Sequence, residues 1–220
     1  MSRSLWPIDT KTARRLQIEL SKKVRIQPLQ KCPSNIAAVD AAFDGESVIA
    51  VASLFVYPSL LHISDAVARE KVRFPYVPGF LSFREGHAFI SAIRKLKQTP
   101  DVIIVDGQGI AHPQGCGIAS HIGVLLDIPT IGCAKSRLVG EYSEPGPKKG
   151  QWSPLIYKKE QVGAVLRTRD NVRPVFVSPG HLIDLCSSVA IVLQSLTQYR
   201  IPEPLRRADH LTKALIKESA

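Results

Sequence analysis

The stretch 101–134, DVIIVDGQGIAHPQGCGIASHIGVLLDIPTIGCA, decides the fold class. It opens on a short, wholly apolar run of the kind buried on both faces of a sheet, and a carboxylate, Asp106, ends that run. A glycine-rich loop follows, then 117–127 with apolar residues at helical spacing, then a second apolar run at 129–134. Strand, loop, helix and strand in succession make an α/β unit, and such sheets place their sites at the carboxyl ends of the strands. The loop 106–117 holds four glycines, yet it matches neither the Walker nor the dinucleotide fingerprint, so a nucleotide-cofactor reading fails on spacing.

Upstream, 35–43 (NIAAVDAAF), 47–57 (SVIAVASLFVY) and 60–72 (LLHISDAVAREKV) are apolar or alternating, and Asp44-Gly45 supplies a turn between the first two. They predict a three-stranded antiparallel meander. Residues 8–24 predict an amphipathic helix capped at Asp9 or Thr10, 75–79 (PYVPG) a loop, and 82–98 a helix with Ser82 as its N-cap. Downstream, 141–154 reads as an exposed loop, 162–168 and 174–177 as a hairpin, and 179–197 and 204–217 as helices. The expectation is one α/β domain over 1–220, with a mixed sheet of three meander strands followed by parallel strands, flanked by helices.

At 220 residues and 45 % hydrophobic content the chain has enough apolar side chains for a full core. No stretch approaches the ~20 apolar residues of a membrane span, and the N-terminus MSRSLWPIDTKTARR shows neither secretory signal nor lipidation motif, which predicts a cytoplasmic protein without membrane contact. The four cysteines are widely spaced without CxxC pairing and are expected as reduced, buried thiols rather than a zinc site. The net charge of +10 is uneven: residues 1–31 carry an excess of +6, 32–134 of −2, 135–173 of +5 and 174–220 of +1. Basic flanks around an acidic middle suit an enzyme that draws in a polyanion and works on it with a divalent metal, although a solvated basic surface accounts for charge alone.

Asp40 interrupts an apolar strand and Asp106 ends another, so each needs a cation partner, whether an arginine, a lysine or a metal; a salt bridge or strand-end cap is the plain alternative. Glu85 falls in the first turn of its expected helix, where the dipole already favours a carboxylate. Asp209, beside Arg206 and Arg207, reads as an ordinary helical ion pair or as a fourth acidic ligand. Oxygen ligands of this kind suit magnesium and phosphoryl transfer. His112 reads equally as a phosphate or substrate contact and as a loop histidine bonded to backbone, and Lys135, after an apolar strand, is placed to neutralise a phosphate.

These residues lie in longer motifs: VDAAF (39–43), PYVPGFLSFREG (75–86), DGQGIAHPQGCGIASHIGVLLDIPTIGCAKSRL (106–138), VSPGH (177–181) and PEPLRRAD (202–209). Over most of 35–210 the sequence resembles the endonuclease V family, the deoxyinosine 3′ endonucleases. The resemblance implies an RNase H-like fold and magnesium-dependent cleavage, with manganese as a substitute, of DNA containing inosine in single or double strands, with RNA as a further substrate. It implies a cut at the second phosphodiester bond 3′ to the deaminated base, leaving 3′-hydroxyl and 5′-phosphate ends, in DNA repair by a monomer. Carried over by motif, Asp40, Glu85 and Asp106 are metal-binding carboxylates, with Asp209 rather than His210 as the fourth. Tyr76 is the wedge that fills the gap left by a flipped-out base; Gly79, Leu81, Gly107, Gly117 and Ile118 line the base pocket; His112 and Lys135 face substrate phosphates or the attacking water. A Holliday-junction resolvase or ribonuclease H of the same fold has no reason to carry the PYVP wedge. A non-enzymatic binding module leaves Asp40 and Asp106 as repulsive charges beside phosphate.

Overall fold

The computed structural model describes residues 6–219, so the reading of the first five residues lies outside it. The elements in chain order are α1 (Thr10–Ser21), β1 (Asn35–Asp44), β2 (Ser47–Val56), β3 (His62–Lys71), α2 (Leu81–Arg94), β4 (Val102–Val105), α3 (Ile118–Leu126), β5 (Thr130–Ala134), β6 (Trp152–Tyr157), β7 (Glu160–Leu166), β8 (Val175–His181), α4 (Leu185–Gln194) and α5 (Glu203–Ser219). No helix among the described residues is long and apolar enough to cross a membrane.

The strands form one sheet in the order β3-β2-β1-β4-β5-β8-β7-β6. The meander is antiparallel, β1, β4 and β5 are mutually parallel, and β8, β7 and β6 return antiparallel. This is the expected RNase H-like mixed sheet. Side chains alternate across it: Ile36 and Ala38 join the core layer under α4 and α5, whereas Ala37 and Val39 join the layer under α2 and α3. Asp40 is in phase with Ile36 and Ala38, on the face that α5 covers.

Among the boundaries that differ from the sequence expectation, four have a visible physical reason. Ser82 is not the cap of α2, because Phe80 takes that position and packs with Phe74 and Phe83, so the aromatic cluster sets where the helix begins. The same helix stops at Arg94, with Lys95 as its C-cap, its side chain donating to the Val67 carbonyl. Residues 152–154 are not loop but the start of β6, whose one neighbouring strand is β7, with Glu141 bridged to Ile156 on its other side; on an edge strand Pro154 deprives no strand neighbour of a donor. Pro179, Gly180 and His181 continue β8, since Thr130 pairs with His181; α4 begins only after Asp184, whose carboxylate accepts the Ser187 N–H at 2.7 Å. The cysteines are all free, but Cys32 and Cys186 are exposed and only Cys116 and Cys133 are buried.

The helix that carries Asp209 is fastened to the far side of the meander. Asp65 on β3 accepts from Arg207 Nε at 2.9 Å and Nη2 at 2.5 Å, from Ser53 Oγ at 2.7 Å, and faces His62 Nε2 at 3.1 Å. Burial works against the charge on Asp65, but Arg207, Ser53 and His62 outweigh it and hold its pKa below the usual carboxylate range. Substituting Asp65→Ala removes this clasp and leaves Arg207 without its acceptor. Denaturant unfolding is expected to show a loss of about 1–3 kcal/mol, the range for truncating one partner of a charge-assisted bond.

Candidate active site

The parallel pairing of three neighbouring strands stops at the same level of the sheet, and each strand delivers one charged side chain there. Asp40 lies one residue beyond the last β1–β4 pair, Val39 with Val105; Asp106 follows Val105; Lys135 follows Ala134 at the end of β5. The Asp106 N–H donates to the Val39 carbonyl at 3.2 Å, so the first two carboxylates are spaced by backbone pairing. Glu85 enters from α2 and Asp209 from α5, on opposite faces of the sheet.

Asp40, Glu85, Asp106, Lys135, His112, Tyr76, Gly79, Leu81, Gly107, Gly117 and Ile118 line a single cavity of about 400 Å³. Asp209 joins them through Lys135, whose Nζ stands 2.5 Å from Asp106 Oδ2 and 3.6 Å from Asp209 Oδ1. The sequence therefore named residues that the fold brings together. Tyr76 is 72 % exposed at the rim, free to meet a ligand.

The electrostatics are those of carboxylates short of positive charge. Burial first, and then the charges of Asp106 and Asp209, push Asp40 up to about 7, against the opposing pull of Lys135. Glu85 rises to about 8, again by burial first and then by Asp40 and Asp106. Partial burial of Asp209 is outweighed by the bond from Lys213 and the charge of Lys135, which hold it below the usual range. Lys135 stays charged, because the surrounding carboxylates overcome its burial. Glu85 is the fifth residue of α2, not in its first turn, so the helix dipole no longer explains it.

His112 departs most from its expected part. The ring is buried, its Nε2 lies 2.9 Å from the Gly79 carbonyl, and its Nδ1 accepts the Gln114 N–H at 3.2 Å. Both nitrogens are thus given to the protein, the loop-histidine alternative. Residues that sequence reasoning passed over also reach the cavity: Gln17 from α1, Gln108, Ser82 and Arg137. Gln17 carried a signal, a polar residue in the apolar stripe of an amphipathic helix. Gly117 is needed for close approach, since a Cβ there would stand 2.3 Å from the Gln108 carbonyl oxygen.

Among the described residues no three His, Cys, Asp or Glu side chains stand ready to enclose a metal ion, and Asp106 and Asp209 are turned to Lys135. The donor set nevertheless fits a hard divalent cation: all the candidate donor atoms are carboxylate oxygens, and burial and mutual repulsion, which raise Asp40 and Glu85, both favour neutralisation by a cation.

These shifts predict a pH dependence. Between the ordinary carboxylate values near 4 and the folded values of about 7 and 8, the metal-free native state holds protons that the unfolded chain has lost, so stability falls as pH rises through this window. With chelator at pH 8, Glu85→Gln is expected to melt at least about 2–4 °C above wild type, a gain of ~1 kcal/mol in a chain of this size, and the difference should close towards pH 5. Equal melting temperatures across the range would show that Glu85 titrates normally.

The sequence matches the endonuclease V family over residues 18–210. It is 54 % identical over 201 residues to the endonuclease V of Geotalea uraniireducens, spanning 91 % of this chain and 86 % of that one. The crystal structure of endonuclease V from Streptomyces avermitilis is similar with a TM-score of 0.92 and 40 % identity, covering 97 % of this chain and 96 % of the other. Endonuclease V of Ciona intestinalis, crystallised with a 23mer DNA containing an inosine followed by a ribo-adenosine, is similar with a TM-score of 0.85 and 26 % identity, covering 97 % and 100 %. The family match starts within α1, takes in the whole sheet and every cavity residue except Gln17, and ends in α5; by it the chain belongs to the endonuclease V family.

Proposed function

We propose that this protein is a magnesium-dependent endonuclease, with manganese as a substitute metal, that recognises inosine in DNA and hydrolyses the second phosphodiester bond on its 3′ side. The ends left are 3′-hydroxyl and 5′-phosphate, and the role is DNA repair in the cytoplasm by a single-domain monomer. One observation carries the reading: the buried carboxylates share a cavity with an exposed aromatic loop and a glycine-lined recess, which unites hydrolysis with base recognition.

Asp40, Glu85, Asp106 and Asp209 would hold the metal. Bound there, a divalent cation supplies a water of lowered pKa and stabilises charge on the phosphate. Asp40 and Glu85, whose pKa values are raised, would be the carboxylates that give up protons to hold it. Lys135, held charged by the surrounding carboxylates and beside Asp106 and Asp209, would offer Nζ to a phosphate oxygen. On the recognition side, Tyr76 enters the base stack and recovers part of the cost of extrusion. Gly79, Leu81, Gly107, Gly117 and Ile118 surround the base, and backbone groups among them supply a donor and acceptor pattern matched to a 6-oxo purine.

A second reading takes RNA as substrate. The Ciona relative was crystallised with a ribo-adenosine next to the inosine, which favours tolerance of a ribonucleotide there. Cleavage of matched inosine-containing DNA and RNA strands with magnesium decides between the two, and loss of nicking with chelator is expected for either. Asp40→Asn and Asp106→Asn should each abolish nicking while the protein stays folded; near-normal nicking by either variant would remove that residue from the metal site.

Tyr76→Ala is expected to weaken binding of an inosine-containing oligonucleotide in calcium by about tenfold to a hundredfold, from the loss of ~1–3 kcal/mol of stacking per base. Undamaged DNA should bind as before, and Tyr76→Phe should be mild. Equal weakening of both ligands would make the ring structural.

A further inference from the structure

Gln17 breaks the apolar face of the first helix. The buried residues of α1 are Ala13, Gln17 and Leu20, a stripe at helical spacing whose other members are apolar. At 1 % exposure the Gln17 amide is inside the protein, and a buried amide is costly unless it is bonded. Its Nε2 donates to the Gly79 carbonyl at 2.7 Å, across 62 positions of sequence. The same oxygen faces His112 Nε2 at 2.9 Å. The Gln114 N–H donates to His112 Nδ1, so the ring is in its Nε2–H form and donates to Gly79; burial, which lowers its pKa, favours this neutral state. Two donors fill both lone pairs of one carbonyl.

That carbonyl sits at a pivot. Gly79 has φ +84°, a left-handed conformation that suits glycine, and it ends the Tyr76-Val77-Pro78 loop. Phe80 follows as the N-cap of α2, the helix that delivers Leu81 and Glu85 to the cavity. Fixing the plane of the 79–80 peptide therefore sets the direction in which the loop leaves the helix.

We propose that Gln17 is a positioning residue for base discrimination: from α1, one residue before the family match begins, it holds, together with His112, the Gly79 peptide that aligns the Tyr76 loop with the start of α2. Packing of α1 alone does not call for this amide, because an apolar side chain would serve as Ala13 and Leu20 do. The bond goes to the recognition loop and not to a carboxylate, so discrimination should respond and the metal chemistry should not. This inference rests on the inosine reading above.

The test compares Gln17→Met, which keeps the length and removes the donor, with Gln17→Glu, which keeps the shape and presents a carboxylate to the carbonyl. Leu20→Ala, on the same buried stripe, controls for packing of α1. Binding of inosine-containing and undamaged oligonucleotides is measured in calcium, alongside melting temperature and the magnesium dependence of single-turnover nicking at saturating enzyme. Both Gln17 variants are expected to lower the inosine-to-undamaged affinity ratio about tenfold, the upper range for one hydrogen bond, with the magnesium dependence unchanged. Leu20→Ala should lower the melting temperature and leave the ratio intact. A wild-type ratio in either variant, a ratio lost equally in Leu20→Ala, or equal weakening of both ligands overturns the proposal. If Gln17→Met does not fold, Gln17→Glu decides, and failure of both to fold makes Gln17 a folding residue and overturns it too. Absence of any inosine preference in the wild type overturns the functional reading along with this one, whereas preference kept by folded Gln17 variants overturns this one alone.

Discussion

Parallel pairing of β1 with β4 brings Asp40 and Asp106 to one edge of the sheet, and the parallel β5 brings Lys135 beside them. Burying carboxylates next to one another opposes ionisation, and the cost appears in the raised values of Asp40 and Glu85. The sheet can bear this because its centre is apolar on both faces, with α2 and α3 on one side and α4 and α5 on the other. Much of the remaining structure exists to keep these charges where they are: Lys135 between Asp106 and Asp209, and Arg207 on Asp65.

The buried carboxylates and the glycine-lined recess meet at α2. Its fifth residue, Glu85, faces the carboxylates, while Gly79 and Leu81 at its start line the recess. A shift of this helix moves both parts together. The aromatic cluster of Phe74, Phe80 and Phe83 and the two donors on the Gly79 carbonyl limit such a shift from opposite ends of the loop. His112 belongs to this bracing: its ring is buried with both nitrogens bonded, and burial lowers its pKa.

Several elements were legible because their signals are local. The Asp44-Gly45 turn between alternating runs specified the first hairpin, and the apolar run at 101–105 specified a strand buried on both faces. The carboxylates Asp40 and Asp106 stood out because ionisable groups are costly in apolar strands. Other boundaries were set by partners far along the chain. β6 took 152–154 from the loop by pairing with β7, and β8 took 179–181 from the helix by pairing with β5. Periodicity within a segment says nothing of which strand will pair with it.

By itself, the sequence determined the order of elements apart from β6, the mixed character of the sheet and the residue types of the candidate site, since these follow from hydrophobic spacing, turn chemistry and motif. Tertiary structure decided which atoms those residues spend on one another. Glu85 looked like a helix-end carboxylate and is a buried acid; His112 read equally as a substrate contact and as a loop histidine, and has both nitrogens bonded; Gln17 looked like one residue of an amphipathic helix and holds a loop 62 positions away. Burial and hydrogen-bond partnership are properties of surroundings assembled from distant parts of the chain, so no local pattern encodes them.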